Sequence, residues 1–289
     1  MIRINLLFSA IVLTLITACT SESDTSPSQV ADPTLEIVIP NEGTTSPDSY
    51  DGMTLVWEDD FQGNSLNLSN WSYEIGTGTN GWGNNELQYY RQENTTLKEG
   101  HLVITAKKET FEGRSYTSSR LVTKDKKQFR YGRIDIRAVM PRGQGLWPAL
   151  WMLGSNFETV GWPACGEIDI MEMIGGNSRE NTVHGTVHWE NNGTRAQYGG
   201  ENKISSGTLA DKFHVFSIVW DSTSIRWYID NQQYHIIDTT PGELDEFRRN
   251  FFFIFNVAVG GDWPGSPDNT TTFPQHMIVD YVRVFQVNP

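Results

Sequence analysis

Three carboxylates lie close together in the segment EIDIME, as Glu167, Asp169 and Glu172. On a helix, offsets of two and five residues turn through about 200° and 500°, so the three would not share a face. The segment is short, rich in isoleucine and bounded by glycines, which favours a β-strand. On a regular strand Glu172 points away from the other two acids. One extra residue, a β-bulge near residues 170–171, would bring all three onto one face.

Such a row of acids has a definite chemical use. With the bulge, the two glutamates stand about 13 Å apart at Cα. Their side chains can lean to the ~5–5.5 Å carboxyl separation of retaining glycosidases, and less readily to the ~6.5–9.5 Å of inverting ones. Because like charges repel, at least one proton is held at a raised pKa, as a neutral-pH general acid requires. The spacing alone leaves open catalysis, a calcium or other metal site, and a solvated acidic face.

Tryptophans recur beside glycine and proline in the turns of the sequence. Sugars offer apolar C–H faces and many hydroxyls, so a glycan site combines aromatic rings with amides and charged groups. Each tryptophan alone is more often a core residue. Cys165 has the parity of Glu167, but the sequence places no partnering histidine, which favours a small filler over a thiol nucleophile. The turn segments with such residues are 81–88, 145–151, 161–163, 186–189 and 260–264.

The elements that must position these residues are predicted to be strands. Alternating apolar runs are separated by clusters of Gly, Asn, Asp and Pro, and only residues 242–250 are typical of a short helix. With 26 glycines and 12% aromatic residues, the sequence predicts an all-β sandwich or barrel. A net charge of −13 argues against nucleic acid as a partner, because phosphate binding depends on Lys and Arg.

The first 51 residues have a composition of their own. Residues 1–18 hold one basic residue and an apolar run that is short for a membrane span, which indicates a signal peptide. The run ends in Ile-Thr-Ala-Cys, which resembles a bacterial lipobox, so we expect lipidation of Cys19; an incidental cysteine is the alternative. Residues 19–51 are acidic and rich in Ser, Thr and Pro, as a tether is. The catalytic domain is then expected at residues 52–289.

The order of motifs along the domain resembles glycoside hydrolase family 16, and within it the laminarinase-like β-1,3-glucanases. The resemblance covers residues 55–285, and GWP followed by EIDIME is its most specific part. The motifs are WEDDF at 57–61, GWGNNELQYY at 81–90, YGR at 131–133, the segment 145–153, GWPACGEIDIME at 161–172, the segment 255–261 and VDYVRV at 279–284.

The resemblance implies a β-jelly-roll sandwich of two antiparallel sheets with a concave glycan-binding cleft. It implies a retaining double displacement with Glu167 as the nucleophile and Glu172 as the acid/base. Asp169 lies between them and is expected to act through the protonation state of the nucleophile. No cofactor is implied for catalysis. The positions that match the family's glycan-binding residues are Asn84, Glu86, Arg137, Trp147, Trp151, Trp162, His188, Asn256 and Trp263.

Many family members also bind a structural calcium ion on the convex side. The matching positions are the backbones of Asp60 and Gly100, together with Asp280. The usual aromatic-Asp-Glu-Phe opening of the domain has Asp60 in place of the glutamate. A backbone ligand tolerates that exchange, whereas a side-chain ligand would not.

Three functions follow from these observations. The first is an endo-acting β-1,3-glucanase, lipid-anchored in the bacterial cell envelope, at the outer membrane and surface-exposed. The second is a non-catalytic glucan-binding protein, but such relatives lose one or both glutamates. The third is a hydrolase of mixed-linkage glucan, agar or carrageenan with the same acids. Residues 81–90 and 161–163 favour laminarin-like glucan, and the acidity of the domain argues against sulfated substrates. We expect a monomer whose partners are the glucan and the membrane.

Overall fold

The computed structural model describes residues 37–288, and β-strands make up most of the regular structure in that range. The short helical elements are α1 (Phe157–Val160), 3-10 turns at Gln92–Asn94 and Gly242–Arg248, and a π-type turn at Gly81–Asn85. The turn at Gly242–Arg248 confirms the predicted short helix. The strands are β1 (Met53–Asp59), β2 (Ser72–Tyr73), β3 (Gln88–Tyr90), β4 (Thr95–Lys98), β5 (His101–Ala106), β6 (Tyr116–Ser118), β7 (Arg120–Val122), β8 (Gly132–Val139), β9 (Leu146–Gly154), β10 (Glu167–Glu172), β11 (Thr182–Asn191), β12 (Thr194–Lys203), β13 (His214–Trp220), β14 (Ser224–Ile229), β15 (Gln232–Asp238), β16 (Phe251–Val259) and β17 (Gln275–Val287).

Two antiparallel sheets contain nearly all of these strands. The eight-stranded sheet has the order β15-β14-β13-β8-β17-β5-β4, and β1 also pairs with β17. The seven-stranded sheet has the order β12-β11-β10-β9-β16-β7-β2, while β3 and β6 form a small parallel pair. Several neighbours, such as β9 and β16, are far apart in sequence, so long connections cross between the sheets. The predicted all-β sandwich is therefore confirmed.

The facing sides of the two sheets enclose one large apolar core. On β8, Ile134, Ile136 and Ala138 enter this core, as the alternation in the sequence predicts. Strand β16 is buried along its whole length. Its odd-numbered residues face the main core, while Phe252 and Ile254 pack in a second apolar cluster on the other face. An apolar run without alternation is therefore buried on both sides of its sheet.

The N-terminal strap, residues 37–51, packs on the eight-stranded sheet. Ile37 and Ile39 contact an apolar cluster of that sheet, and the Tyr50 hydroxyl donates a 2.7 Å hydrogen bond to Asp135. The compact unit starts at residue 37, so residues 37–51 pack with the sheets, and the domain boundary at residue 52 stays a prediction. A composition typical of a tether did not reveal that these residues have partners on the sheet.

The signal peptide and Cys19 predicted from the sequence lie outside the described residues. Within residues 37–288, no helix has both the length and the apolar character needed to cross a membrane.

Candidate active site

Strand β10 carries the three carboxylates and lies between β9 and β11. Its register against β9 shifts between Asp169 and Met171, which leaves Ile170 as an extra residue. The register against β11 shifts in the same place. Ile170 and Met171 both enter the main core, so Glu172 returns to the face of Glu167 and Asp169. The predicted β-bulge is confirmed.

An indole N–H donates to each glutamate of the row. Trp162 Nε1 donates to Glu167 Oε2 at 2.9 Å, and Trp147 Nε1 donates to Glu172 Oε1 at 2.9 Å. In the described part of the chain, no lysine or arginine lies within ion-pair distance of the three acids. Hydrogen bonds from neutral donors orient the carboxylates without neutralising them.

Asp169 is the most buried of the three, with 3% exposure. His188 on β11 places Nε2 3.3 Å from Asp169 and 3.6 Å from Glu167. Arg195 Nη2 lies 3.3 Å from the other ring nitrogen, Nδ1. Because a guanidinium only donates, Nδ1 accepts from Arg195, and the ring hydrogen is on Nε2, facing the two carboxylates.

Burial raises the pKa of each of Glu167, Asp169 and Glu172 to about 8. Repulsion from Asp169 adds to burial for both glutamates. The indole donors Trp162 and Trp147 act in the opposite direction, each on its own glutamate. The row therefore keeps protons at neutral pH, as its spacing predicts. One carboxyl can then serve as a general acid while another is ionised.

The same group has atoms suited to a metal ion. Glu167, Asp169 and His188 place ligand atoms within 4.8 Å of one another. Glu167 also accepts the Trp162 N–H, and the Arg195 guanidinium lies behind the imidazole. A hydrogen-bond donor on the carboxylate and a guanidinium behind the imidazole suit a carboxylate that exchanges protons better than one that holds a cation.

Aromatic rings flank the Glu172 end of the row. Trp263 is 39% exposed. Its ring stands edge-on to Trp147 at 5.4 Å and to His184 at 5.0 Å between centroids. These rings form a partly exposed aromatic cluster beside Glu172.

A second set of groups flanks the Glu167 end. Trp162 is 43% exposed, and its ring centroid lies 6.1 Å from that of His188. The Arg195 guanidinium sits 5.0 Å above the same indole. Exposed indoles at both ends of the acid row suit a chain-like ligand with apolar faces.

The π-type turn at Gly81–Asn85 leads into a buried carboxylate, Glu86. Its oxygens accept hydrogen bonds from Asn84 at 3.2 Å, Gln88 at 2.6 Å and the Tyr90 hydroxyl at 3.2 Å. Burial raises the pKa of Glu86. Gly81 has φ 60°, and a Cβ there would lie 2.7 Å from the Glu86 carbonyl oxygen, so the close return of the chain needs glycine.

The same network reaches strands β9 and β16. Asn256 donates to the Tyr90 hydroxyl at 3.1 Å and accepts from Trp151 Nε1 at 2.8 Å. Four predicted binding residues, Asn84, Glu86, Trp151 and Asn256, thus share one hydrogen-bonded chain. Gln88 and Tyr90 belong to it as well, although sequence reasoning did not select them.

Arg120 is another residue that the sequence did not reveal. Its guanidinium lies 4.6 Å from the Trp82 ring and 4.9 Å from the Trp151 ring, between the two indoles. It also forms an ion pair with Glu74. Strand pairing brings β7 beside β16, so no local motif marks the position. Arg195 and His184 escaped notice for the same reason.

Cys165 is fully buried in the apolar cluster that also contains Leu153 and Phe252. Burial, followed by the nearby charge of Glu167, raises the pKa of the thiol to about 12. The thiolate required of a nucleophile is therefore disfavoured. The structure confirms the prediction of a small filler.

Comparison with known proteins places this site in a family. The profile of glycosyl hydrolases family 16 matches residues 82–283. The chain belongs to glycosyl hydrolase family 16. The beta-glucanase of Rhodothermus marinus is 42% identical over 261 residues, covering 84% of this chain and 89% of that protein.

Two further relatives extend the comparison. The catalytic domain of an endo-1,3-beta-glucanase (laminarinase) from Thermotoga petrophila is 44% identical, with a TM-score of 0.75, covering 82% of this chain and 99% of that one. The clotting factor G alpha subunit of Tachypleus tridentatus is 42% identical over 235 residues, covering 80% of this chain. This chain spans about a third of that relative, since the match covers 34% of its length. The expected jelly roll of family 16 is thus confirmed.

One expected binding residue of this family 16 chain lies elsewhere. Arg137 belongs to β8 in the eight-stranded sheet, whereas the acids lie in the other sheet. Its side chain donates to Asp280 at 2.6 Å and to the Thr44 carbonyl at 2.7 Å. The expectation that Arg137 binds glycan is therefore wrong. Its parity on β8 directs it away from the core and toward the strap.

The residues expected to hold calcium in this family fit an ion only in part. The Asp280 carboxylate is occupied by Arg137, and a paired acid is a poor calcium ligand. The Asp60 carbonyl accepts only a 3.4 Å bond from Gln62 Nε2, and Gly100 lies against the same amide. The Asp60 main-chain oxygen has one long hydrogen bond, whereas the Asp280 side chain already has a cationic partner.

Proposed function

We propose that this family 16 protein is a retaining endo-β-1,3-glucanase that acts on laminarin-type glucan. The observation that carries the proposal is the bulge in β10, which puts Glu167, Asp169 and Glu172 on one face between two exposed tryptophans. The Thermotoga relative is named an endo-1,3-beta-glucanase (laminarinase), which supports the β-1,3-glucan substrate, and the Rhodothermus relative is named a beta-glucanase, which supports a β-glucan.

The first step forms a glycosyl-enzyme. Ionised Glu167, oriented by Trp162, attacks the anomeric carbon of the sugar. Glu172, oriented by Trp147, transfers its proton to the glycosidic oxygen as the bond from that oxygen to the anomeric carbon breaks. The pKa values of the neighbouring carboxyls are all raised, so the row holds protons at neutral pH, and in this mechanism Glu172 holds one while Glu167 is ionised. The shortened glucan chain leaves with a new hydroxyl.

The second step releases the sugar. Glu172, now ionised, takes a proton from water, and the water oxygen attacks the anomeric carbon. The ester bond to Glu167 breaks, its electron pair returns to the carboxylate, and Glu172 is protonated again. Two inversions at one carbon give net retention. The proton on His188 Nε2 faces Asp169 and Glu167 throughout, which limits their repulsion.

The test is hydrolysis of laminarin, mixed-linkage glucan, agarose and carrageenan, with sizing of the products and proton NMR of the first anomer formed. We expect short β-anomeric oligosaccharides from laminarin. Release of monosaccharide alone would indicate exo rather than endo action. Activity only on a galactan would overturn the substrate but keep the mechanism. Glucan binding without any cleavage would make this a binding protein.

We also propose that the protein is a lipoprotein of the bacterial cell envelope, anchored through Cys19 and exposed at the outer membrane. The sequence Ile-Thr-Ala-Cys at residues 16–19 and the acidic segment that follows support this. Cys19→Ser should move the protein from the membrane fraction to the soluble fraction, whereas Cys165→Ser should not. Continued anchoring of Cys19→Ser would contradict the proposal.

We further propose that calcium binds through the main-chain oxygens of Asp60 and Gly100 near Asp280, where it would stabilise the fold and take no part in catalysis. Chelation should lower the melting temperature, and added calcium should restore it. An unchanged melting temperature would contradict the proposal. We expect the protein to be a monomer, which light scattering would test.

A further inference from the structure

The indole of Trp227 reaches from one sheet to the main chain of the other. Trp227 lies on β14 of the eight-stranded sheet and is fully buried. Its Nε1 donates a 2.8 Å hydrogen bond to the carbonyl oxygen of Asp169 on β10. In a regular strand, carbonyls point within the sheet toward neighbouring strands. The Asp169 carbonyl has therefore turned out of its sheet, at the residue after which the bulge begins.

The strand beside the bulge leaves room for this contact. On β11, Thr186 pairs with Asp169 and His184 pairs with Glu172, so Gly185 stands opposite the bulge. A Cβ at Gly185 would lie 2.8 Å from Trp227 Nε1 and 2.6 Å from the Tyr234 hydroxyl. Only a residue without a side chain lets the indole approach so closely.

Resting on the proposed glucanase function, we propose that Trp227 is a positioning residue whose N–H holds the β10 bulge and so directs Glu172 onto the face of Glu167. Without this donor, the Asp169 carbonyl is buried and unpaired, which is unfavourable. The strand can relieve that cost by changing the bulge, and any such change moves Glu172 relative to Glu167. When a remote change shifts a catalytic group by about 1 Å, the rate can fall by up to about 100-fold.

The chain offers a matched control in Trp220. This residue lies on β13 of the same sheet, is 1% exposed and donates from Nε1 to the Phe247 carbonyl at 2.9 Å. Trp227→Phe and Trp220→Phe therefore remove the same indole N–H from a buried main-chain carbonyl. Only the first carbonyl belongs to the strand with the acids.

The experiment compares both variants of the full chain on two substrates. One is laminarin, and the other is an aryl β-laminaribioside whose dinitrophenolate leaves without protonation. We expect similar losses of melting temperature in the two variants. Trp227→Phe should lose about 10- to 100-fold in kcat on laminarin with little change in KM, and much less on the aryl substrate. Trp220→Phe should keep kcat within about twofold on both.

Other outcomes overturn the proposal. Equal kcat values for the two variants, or an equal loss on both substrates, would assign Trp227 a purely structural role. If Trp227→Phe does not fold, 3-benzothienylalanine at position 227 keeps the ring volume while removing the N–H, with the same expectations.

The two proposals fail in different ways. A wild-type protein that cleaves another polymer refutes only the laminarin assignment, and the variants are then compared on that polymer. If the wild-type protein cleaves none of the polymers, the proposed function fails, and the Trp227 proposal is tested through the pH dependence of the melting temperature. If Trp227→Phe moves Glu172 away from its acidic neighbours, its melting temperature should fall less between pH 5 and pH 8 than that of the wild type. Trp220→Phe should show the same fall as the wild type.

Discussion

Asp135 and Asp169 are buried aspartates on facing sheets. Asp135 is fully buried, and its carboxylate accepts from Arg133 Nε at 2.9 Å and from the Tyr50 hydroxyl at 2.7 Å. Asp169 is 3% exposed, and its Oδ2 has no hydrogen-bond donor in the described structure, although His188 lies nearby. One carboxylate has a cation and a hydroxyl as partners, whereas the other stands beside two further acids.

The difference separates what stabilises this fold from what makes it reactive. Buried charges are tolerated where they are paired, as on the eight-stranded sheet. The acids of the seven-stranded sheet are unpaired, so they store unfavourable energy as raised pKa values. Sites that trade stability for reactivity in this way are expected in enzymes.

The largest expected effect is on the reactive side of the comparison. Glu167→Ala and Glu172→Ala should each lower kcat on laminarin by at least about 10³-fold, because in the proposed mechanism each glutamate takes part in bond making or breaking. Azide should distinguish their roles. It should yield an α-glycosyl azide with Glu167→Ala and a β-glycosyl azide with Glu172→Ala on an activated substrate. The same azide from both would contradict the assignment.

Substitution of the paired aspartate, Asp135, should lower the stability of the fold. Asp135→Ala leaves the buried Arg133 guanidinium without its carboxylate, which should cost about 3–5 kcal/mol of unfolding free energy. Chemical denaturation measures that loss, and kcat per folded molecule should stay unchanged. A rate loss in fully folded Asp135→Ala would mean that the two sheets are not separable in function.

A neutral substitution in the acid row should raise the unfolding free energy, whereas Asp135→Ala should lower it. The pKa of Glu172 is about 8 in the folded protein against 4.5 ordinarily, so the folded state prefers the protonated form. Stability is then full below about pH 4.5 and falls as the pH rises toward 8. Glu172→Gln removes this fall and should stabilise the protein by about 1–2 kcal/mol at pH 8. No gain at pH 8 over pH 4 in thermal scans would contradict the raised pKa.

The smallest effects concern the two indole donors. Trp162→Phe removes a donor from ionised Glu167, which raises the pKa of the nucleophile and should move the acidic limb of kcat/KM to higher pH. Trp147→Phe does the same to Glu172 and should move the alkaline limb to higher pH. Movement of the opposite limb in either variant would exchange the two catalytic roles.

Local patterns predicted the strand that carries the three acids. The parity of Glu167, Asp169 and Glu172 required a bulge, and the buried residues Ile170 and Met171 are where it forms. The apolar run at Phe251–Val259 predicted a strand covered on both faces. These features depend on neighbours in sequence, so one chain suffices to predict them.

Other features depend on contacts between distant strands. The sequence gives no sign that Arg120 lies between Trp82 and Trp151, or that Arg195 fixes the tautomer of His188. Arg137 matched the binding pattern of the family but faces the strap, because strand parity and sheet membership decide where a side chain points. Composition likewise predicted a tether where residues 37–51 pack on a sheet.

The strap also determines how mechanical load enters the domain. Any pull along the chain from residue 36 acts first on the contacts of residues 37–51. These include the Lys98 bond to the Ile37 carbonyl, with Lys98 on β4, and the Thr44 bond to the carbonyl of Phe213, the residue just before β13. Tension is thus resisted by strands that carry no catalytic acid. The seven-stranded sheet can therefore keep its geometry under such a pull.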